Sequence, residues 1–137
     1  MNSRKNACGQ AAVLTVIFMT VLLGMAAAVL DVGSWYRADR QLQATVDAAA
    51  LAGAQALPES AGDADALARE YAEKNGGGLQ DVSFSTTVIA NDTIEITGER
   101  AAPGFFAKLF GVDSVQVHAT AKARSGVLAN ARWAAPI

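Results

Sequence analysis

The chain has 137 residues, of which 52% are hydrophobic, only 18% are charged and thirty are alanine. Eleven basic and thirteen acidic side chains leave a net charge of -2, so there is no basic field for a phosphate backbone and nucleic acid is excluded as an expected partner. One cysteine and one histidine cannot build a disulfide framework or an ordinary zinc site within one chain, which argues against a metal or other cofactor and against most enzyme classes.

Residues 1–9 read as a short basic leader or cytoplasmic tail containing Arg4 and Lys5. Ala11 to Leu30 then runs for twenty residues without a charge. At ~1.5 Å per residue such a helix is ~30 Å long, the thickness of a bilayer's hydrocarbon core. Asp31 ends the run, and Trp35 and Tyr36 follow, rings suited to a membrane interface. Ala26-Ala27-Ala28 would suit a signal-peptidase site, but the apolar stretch exceeds the usual ~7 to 15 residues of a secretory signal. Arg37 and Arg40 balance Arg4 and Lys5, so charge leaves the orientation open; a basic tail inside with the rest exported is the preferred reading.

No proline precedes Pro58, and strong helix formers fill the run from Asp31 to Leu57, so residues 10–57 read as one transmembrane and stalk helix. Its second half is amphipathic, with Trp35, Leu42, Val46, Ala49, Gly53 and Leu57 on one side. Gly24 and Gly53 are related by about 20° on a straight helix. Gly24, Ala28, Trp35, Leu42, Val46, Ala49 and Gly53 therefore form a candidate helix assembly face, where small residues permit close helix approach. The competing reading, preferred for the last three turns, has this stripe covering the core of the chain's own head. Leucines at Gly24 and Ala28 are expected to leave the head undisturbed.

Residues 58–124 read as a small α+β head. Asp63 is the expected N-cap of a helix from Ala64 to Asn75, and Gly76-Gly77-Gly78 stops it. Those glycines lack the Lys-Ser/Thr pair of a phosphate loop. Alternation predicts a strand over Asp81–Ala90, a turn at Asn91-Asp92 and a second strand over Thr93–Glu99. A third strand over Ser114–Arg124 points Val115, Val117, Ala119, Ala121 and Ala123 inward. Between them, Phe105, Phe106, Ala107, Leu109 and Phe110 predict about two helical turns closed by Gly111. This segment is expected to cap the sheet's core, with Phe105, Phe106 and Phe110 as the candidate head contact surface if it does not. Residues 125–137 read as a C-terminal tail. The expected fold is thus α+β and pilin-like: a long N-terminal hydrophobic helix continuing into an amphipathic one, a second short helix and a small three-stranded antiparallel sheet.

Gly9-Gln10 before the apolar run, Asp31-Val32-Gly33, Tyr36, Arg40-Gln41-Leu42-Gln43 and Asp47-Ala48-Ala49-Ala50-Leu51-Ala52-Gly53-Ala54 resemble the N-terminal signature of the TadE/TadG-like proteins of tight-adherence pilus assembly. The likeness runs on through Tyr71-Ala72, Asn75-Gly76, Phe105-Phe106-Ala107 with Gly111, and the Val115 to Ala123 strand. It implies a bacterial inner or cytoplasmic membrane protein, single-pass with its head outside and at the cell surface or in a pilus after assembly. Its implied partners are the membrane, other pilus or secretion-system proteins and copies of itself, and its implied role is that of a pseudopilin or minor pilin. Pilins of this broad type are cleaved after a glycine, which makes Gly9 and Gln10 the candidate processing site. They also carry glutamate at the fifth mature position, where this chain would have Leu14, a departure that weighs against a major pilin. Longer TadG relatives carry a domain with an Asp-x-Ser-x-Ser metal motif; Asp81, Ser83 and Ser85 have that spacing but fall inside one predicted strand, so no metal site is expected.

The expected function is non-catalytic and structural or in assembly. The alternative is an anchored or secreted binding module with an apolar ligand surface at Phe105–Phe110.

Overall fold

The computed structural model describes residues 3–126, with side chains from Gly9 onward. Of the tail expected over 125–137, all but Ser125 and Gly126 lies outside the described residues. The fold is α+β: a long helix α1 (Ser3–Ala54), a second helix α2 (Ala61–Lys74), and strands β1 (Leu79–Ser85), β2 (Thr93–Pro103) and β3 (Ser114–Arg124) in one antiparallel sheet of order β1-β2-β3.

The long helix stops at Ala54 rather than Leu57. The N–H groups of Gln55, Ala56 and Leu57 bond the carbonyls three residues back, of Ala52, Gly53 and Ala54, so the chain tightens into a turn. Pro58 enforces this, because a residue before proline is pushed out of the α region. Helix α2 begins three residues earlier than expected, with Ser60 as its N-cap in place of Asp63. Ser60 Oγ accepts the Asp63 N–H at 3.2 Å, the bond that an N-cap makes to the third helical residue. Asp63 then sits in the first turn, where a negative charge complements the helix dipole. Beyond Asn75, Gly76, Gly77 and Gly78 have φ of 107°, 68° and 96°, a run of left-handed backbone open to glycine and costly for other residues. The Arg100 guanidinium donates to the carbonyls of Gly76 and Gly77 and fixes that turn to β2.

Strand β1 ends at Ser85, short of the expected Ala90. Thr86 to Ala90 alternate by residue type but leave the sheet, because the Asp92 carboxylate accepts the N–H groups of Thr87, Val88 and Ile89 and folds the chain round itself. The turn at Asn91-Asp92 is where it was expected, with Asn91 at φ 56°. Pairing of β1 with β2 sets Val82 opposite Ile96 and Phe84 opposite Ile94. Strand β3 has the expected limits and alternation, with Val117, Ala119 and Ala121 buried between exposed Gln116, His118, Thr120 and Lys122.

The described residues form two compact units, each joining segments distant in sequence. One combines α1 up to Arg37 with Ala101–Val115, and the other combines Ala38–Arg100 with the chain from Gln116. In the second, the core consists of Leu42, Val46 and Ala49 from α1, Ala64, Ala68 and Ala72 from α2, Ile94 and Ile96 from β2, and the inward residues of β3. Gly53 marks the tightest approach in this core. A Cβ built on it would stand 2.6 Å from Ile94 Cδ1, 2.9 Å from the Ala64 carbonyl oxygen and 3.3 Å from Ala68 Cβ. Small side chains at these positions let two helices and a strand approach closely.

Candidate functional site

The first unit contains the charge-free run. An eighteen-residue window of α1 reaches a mean hydropathy of 2.6 with none of it buried, so by length and composition the helix can cross a membrane. Its hydroxyls do not prevent this: Thr15 Oγ1 donates to the Ala11 carbonyl and Thr20 Oγ1 to that of Val16, both at 2.9 Å. Gly9, Gln10, Gly24 and Ala28 are all exposed on this helix.

Asp31, directly after the run, is only 3% exposed. Its Oδ1 accepts the Phe105 N–H at 2.8 Å, both its oxygens accept the Phe106 N–H, and its Oδ2 accepts the Ala107 N–H. Three consecutive amides thus share one carboxylate, a charge-assisted arrangement that ties the loop after β2 to the end of the apolar run. The loop also closes on itself. Gly104 N–H donates to the Asp113 carbonyl, Leu109 N–H to that of Phe106, Gly111 N–H to that of Lys108 and Val112 N–H to that of Ala107.

The expected two-turn cap over the sheet core is therefore replaced by a single 3-10 turn, Ala107–Phe110, ended by Gly111 at φ 83°. Asp31 claims the amides at its start and Gly111 turns the chain at its end, leaving room for four helical residues. The apolar side chains point outward: Phe105, Phe106, Leu109 and Phe110 are 67%, 47%, 88% and 85% exposed. Phe106, Ala107 and Phe110 border a groove of about 240 Å³ that is also lined by Gly24, Ala27, Ala28, Asp31, Val32 and Trp35 of α1. This corrects the expectation that Gly24 and Ala28 lie beyond reach of the head, since they share a groove with residues of the 105–110 segment. Trp35 is half-buried, its ring 3.7 Å from where a Cβ on Gly104 would stand, while Tyr36 is exposed.

The remaining members of the expected helix face lie in the second unit. Leu42, Val46 and Ala49 are fully buried and Gly53 is buried, in the core described above. The surface that this stripe offers outside the unit's own core thus falls to Gly24 and Ala28, with Trp35 partly covered. The Asp47–Ala54 block follows the same logic: Ala49, Ala50, Ala52 and Gly53 face inward, while Asp47 and Leu51 are exposed.

Sequence reasoning treated Asp31 as an end marker and Asp92 as a turn residue, and missed that both carboxylates organise loops. Burial pushes the Asp92 carboxyl up, but the N–H groups of Thr87, Val88 and Ile89 and the Thr93 hydroxyl outweigh it and hold it well below the usual carboxylate range. Asp81, Ser83 and Ser85 are exposed along β1, and among the described residues no three His, Cys, Asp or Glu side chains gather as a metal site. His118 stands 4.0 Å from Glu99 on the exposed side of β3.

No curated protein and no solved structure matches the chain. The resemblance drawn from Tyr71 onward lies outside any match, whereas the N-terminal signature is supported: residues 9–56, from Gly9 through the small-residue block, match the family described as putative Flp pilus-assembly TadE/G-like.

Proposed function

We propose that the chain is a non-catalytic structural or assembly component, a pseudopilin or minor pilin, of a Tad-type surface pilus or secretion apparatus. Ala11 to Leu30 holds it in the bacterial inner membrane in a single pass, with the head on the outer side. The observation that carries this reading is the coincidence of the family match with two physical features. The matched residues 9–56 contain the unburied apolar run and the small-residue block that packs on α2 and the sheet. The first suits lipid and later helix neighbours; the second builds a head directly on the helix that anchors it.

The test is isolation of the native protein from crosslinked cells, with identification of its companions, after high-pH carbonate washing of the membranes. Retention in the pellet with crosslinks to other pilus components is the expected result. Release into the wash, with a mature N-terminus at Val29, would replace this reading with a secreted binding module.

A further inference from the structure

We propose that the Phe105–Phe110 segment is immersed in the outer leaflet of the same membrane that α1 crosses, so that the chain holds the bilayer by a helix and a side loop together. This rests on the single-pass reading of Ala11 to Leu30.

Three observations within the first unit carry it. Depth is the first: Phe106 and Phe110 line one groove together with Gly24 and Ala28, which belong to the charge-free run. Gly24 precedes Asp31 by seven residues, about 10 Å along the helix axis. If the run fills the hydrocarbon, side chains that share a groove with Gly24 and Ala28 reach its edge too. The second is chemistry: Leu109, outside the groove, and Phe110, at its border, are 88% and 85% exposed and so leave a large apolar surface uncovered. The third is the backbone. A lipid-facing loop must satisfy its own amides. Those of Gly104, Phe105, Phe106, Ala107, Leu109, Gly111 and Val112 are all bonded within the unit, three of them to Asp31. Lys108, the one basic side chain of the turn, has a stem long enough to lift its ammonium to the headgroups.

The experiment uses the full chain with Cys8→Ser, reconstituted in phosphatidylcholine–phosphatidylglycerol vesicles and spin-labelled at Leu109→Cys, Val21→Cys or Glu73→Cys in turn. Collisional relaxation is measured with oxygen, which concentrates in lipid, and with a water-soluble nickel chelate. The expected result groups the Leu109 label with the Val21 label: oxygen accessibility raised and nickel accessibility lowered relative to Glu73. A Leu109 label as open to nickel as Glu73, with Val21 still lipid-like, overturns the immersion and leaves the span intact. A Leu109 label shielded from both reagents places the segment against protein, a second copy in this one-component system, and also overturns it. If the Val21 label itself behaves as water-exposed, the span fails and the immersed loop fails with it.

Discussion

Both carboxylate oxygens of Asp31 accept the one N–H of Phe106, at 3.1 and 3.0 Å, across seventy-five positions of sequence. The flanking amides of Phe105 and Ala107 take one oxygen each, so among the described residues this one side chain holds three successive backbone donors. Asp31→Ala would strand all three where water reaches them poorly, and Asp31→Asn would keep one acceptor oxygen and turn a donor toward the others. Amide hydrogen exchange at Phe105 to Ala107 should accelerate by about tenfold or more in the alanine variant and by less in the asparagine variant. Unchanged protection in Asp31→Ala would mean that the loop is held by its internal bonds alone.

Asp92 makes the same kind of bond on a shorter scale, and its consequence is a pH dependence. Its carboxyl is depressed in the folded protein relative to an ordinary aspartate near ~3.9, so the folded state binds fewer protons than the unfolded one in the acid range. The stability this confers is fully present above the ordinary value. It is lost progressively as pH falls through about 4 toward the lower folded value. Thermal unfolding of the detergent-solubilised protein between pH 7 and pH 2 should show a steeper acid loss for the wild type than for Asp92→Asn, which lacks that titration. Parallel curves would assign the acid sensitivity elsewhere.

Those two aspartates also mark where the sequence stops being legible. Period-two alternation of Val117, Ala119 and Ala121 gave β3 its limits directly, since the pattern is repeated along the strand and needs no partner to be seen. The same alternation misled at Thr87 and Val88, because a carboxylate a few residues downstream captures their amides and a side-chain-to-backbone bond leaves no periodic trace. Ser60 and Asp63 are both good caps three residues apart, and only the observed Asp63 N–H to Ser60 bond decides between them. Asp31 lies at the far end of that scale: its partners are more than seventy residues away, and nothing local distinguishes it from a residue that merely ends an apolar run.

Gly53 tests whether the small-residue block serves packing. A Cβ there meets the Ala64 carbonyl oxygen at 2.9 Å, and because that atom is backbone it cannot swing aside like a side-chain tip. Gly53→Ala should destabilise the protein by about 1–3 kcal/mol, as overpacking of a filled core does. Leu51→Ala, two residues away on the exposed side, should stay within roughly 0.5 kcal/mol of wild type. Denaturant unfolding of the two variants side by side checks both figures. A neutral Gly53→Ala would show that α2 can shift outward at little cost.

Processing at Gly9-Gln10 predicts a mature chain beginning at Gln10. Intact-mass analysis of protein isolated from its native envelope should then show loss of Met1 to Gly9, and Gly9→Leu should block that loss. A mature protein that keeps Arg4 and Lys5 would retain the anchor and remove the prepilin-type peptidase from the account. A chain beginning at Gln10 would carry Leu14 at the fifth mature position, where pilins of this broad type carry glutamate, so the test bears on polymerisation as well.

The helix face makes the last prediction, now confined to Gly24 and Ala28, since Leu42, Val46, Ala49 and Gly53 are committed to the core of the second unit. Beyond the helix's own adjacent backbone and the two neighbouring residues, no atom lies within 4 Å of a Cβ placed on Gly24, so alanine fits there freely, whereas leucine would extend into the groove bordered by Phe106 and Phe110. The pair Gly24→Ala and Gly24→Leu with Ala28→Leu therefore separates two roles. If the helix packs closely against neighbouring pilus subunits, the double leucine variant should lose its crosslinks in intact cells while the single alanine variant loses few. If these residues serve only the groove, the leucines should change exchange at Phe105 to Ala107 and leave every crosslink in place. Loss of crosslinks with unchanged exchange in the loop locates the assembly surface on the helix itself. The opposite result locates it in the residues beyond Asp31.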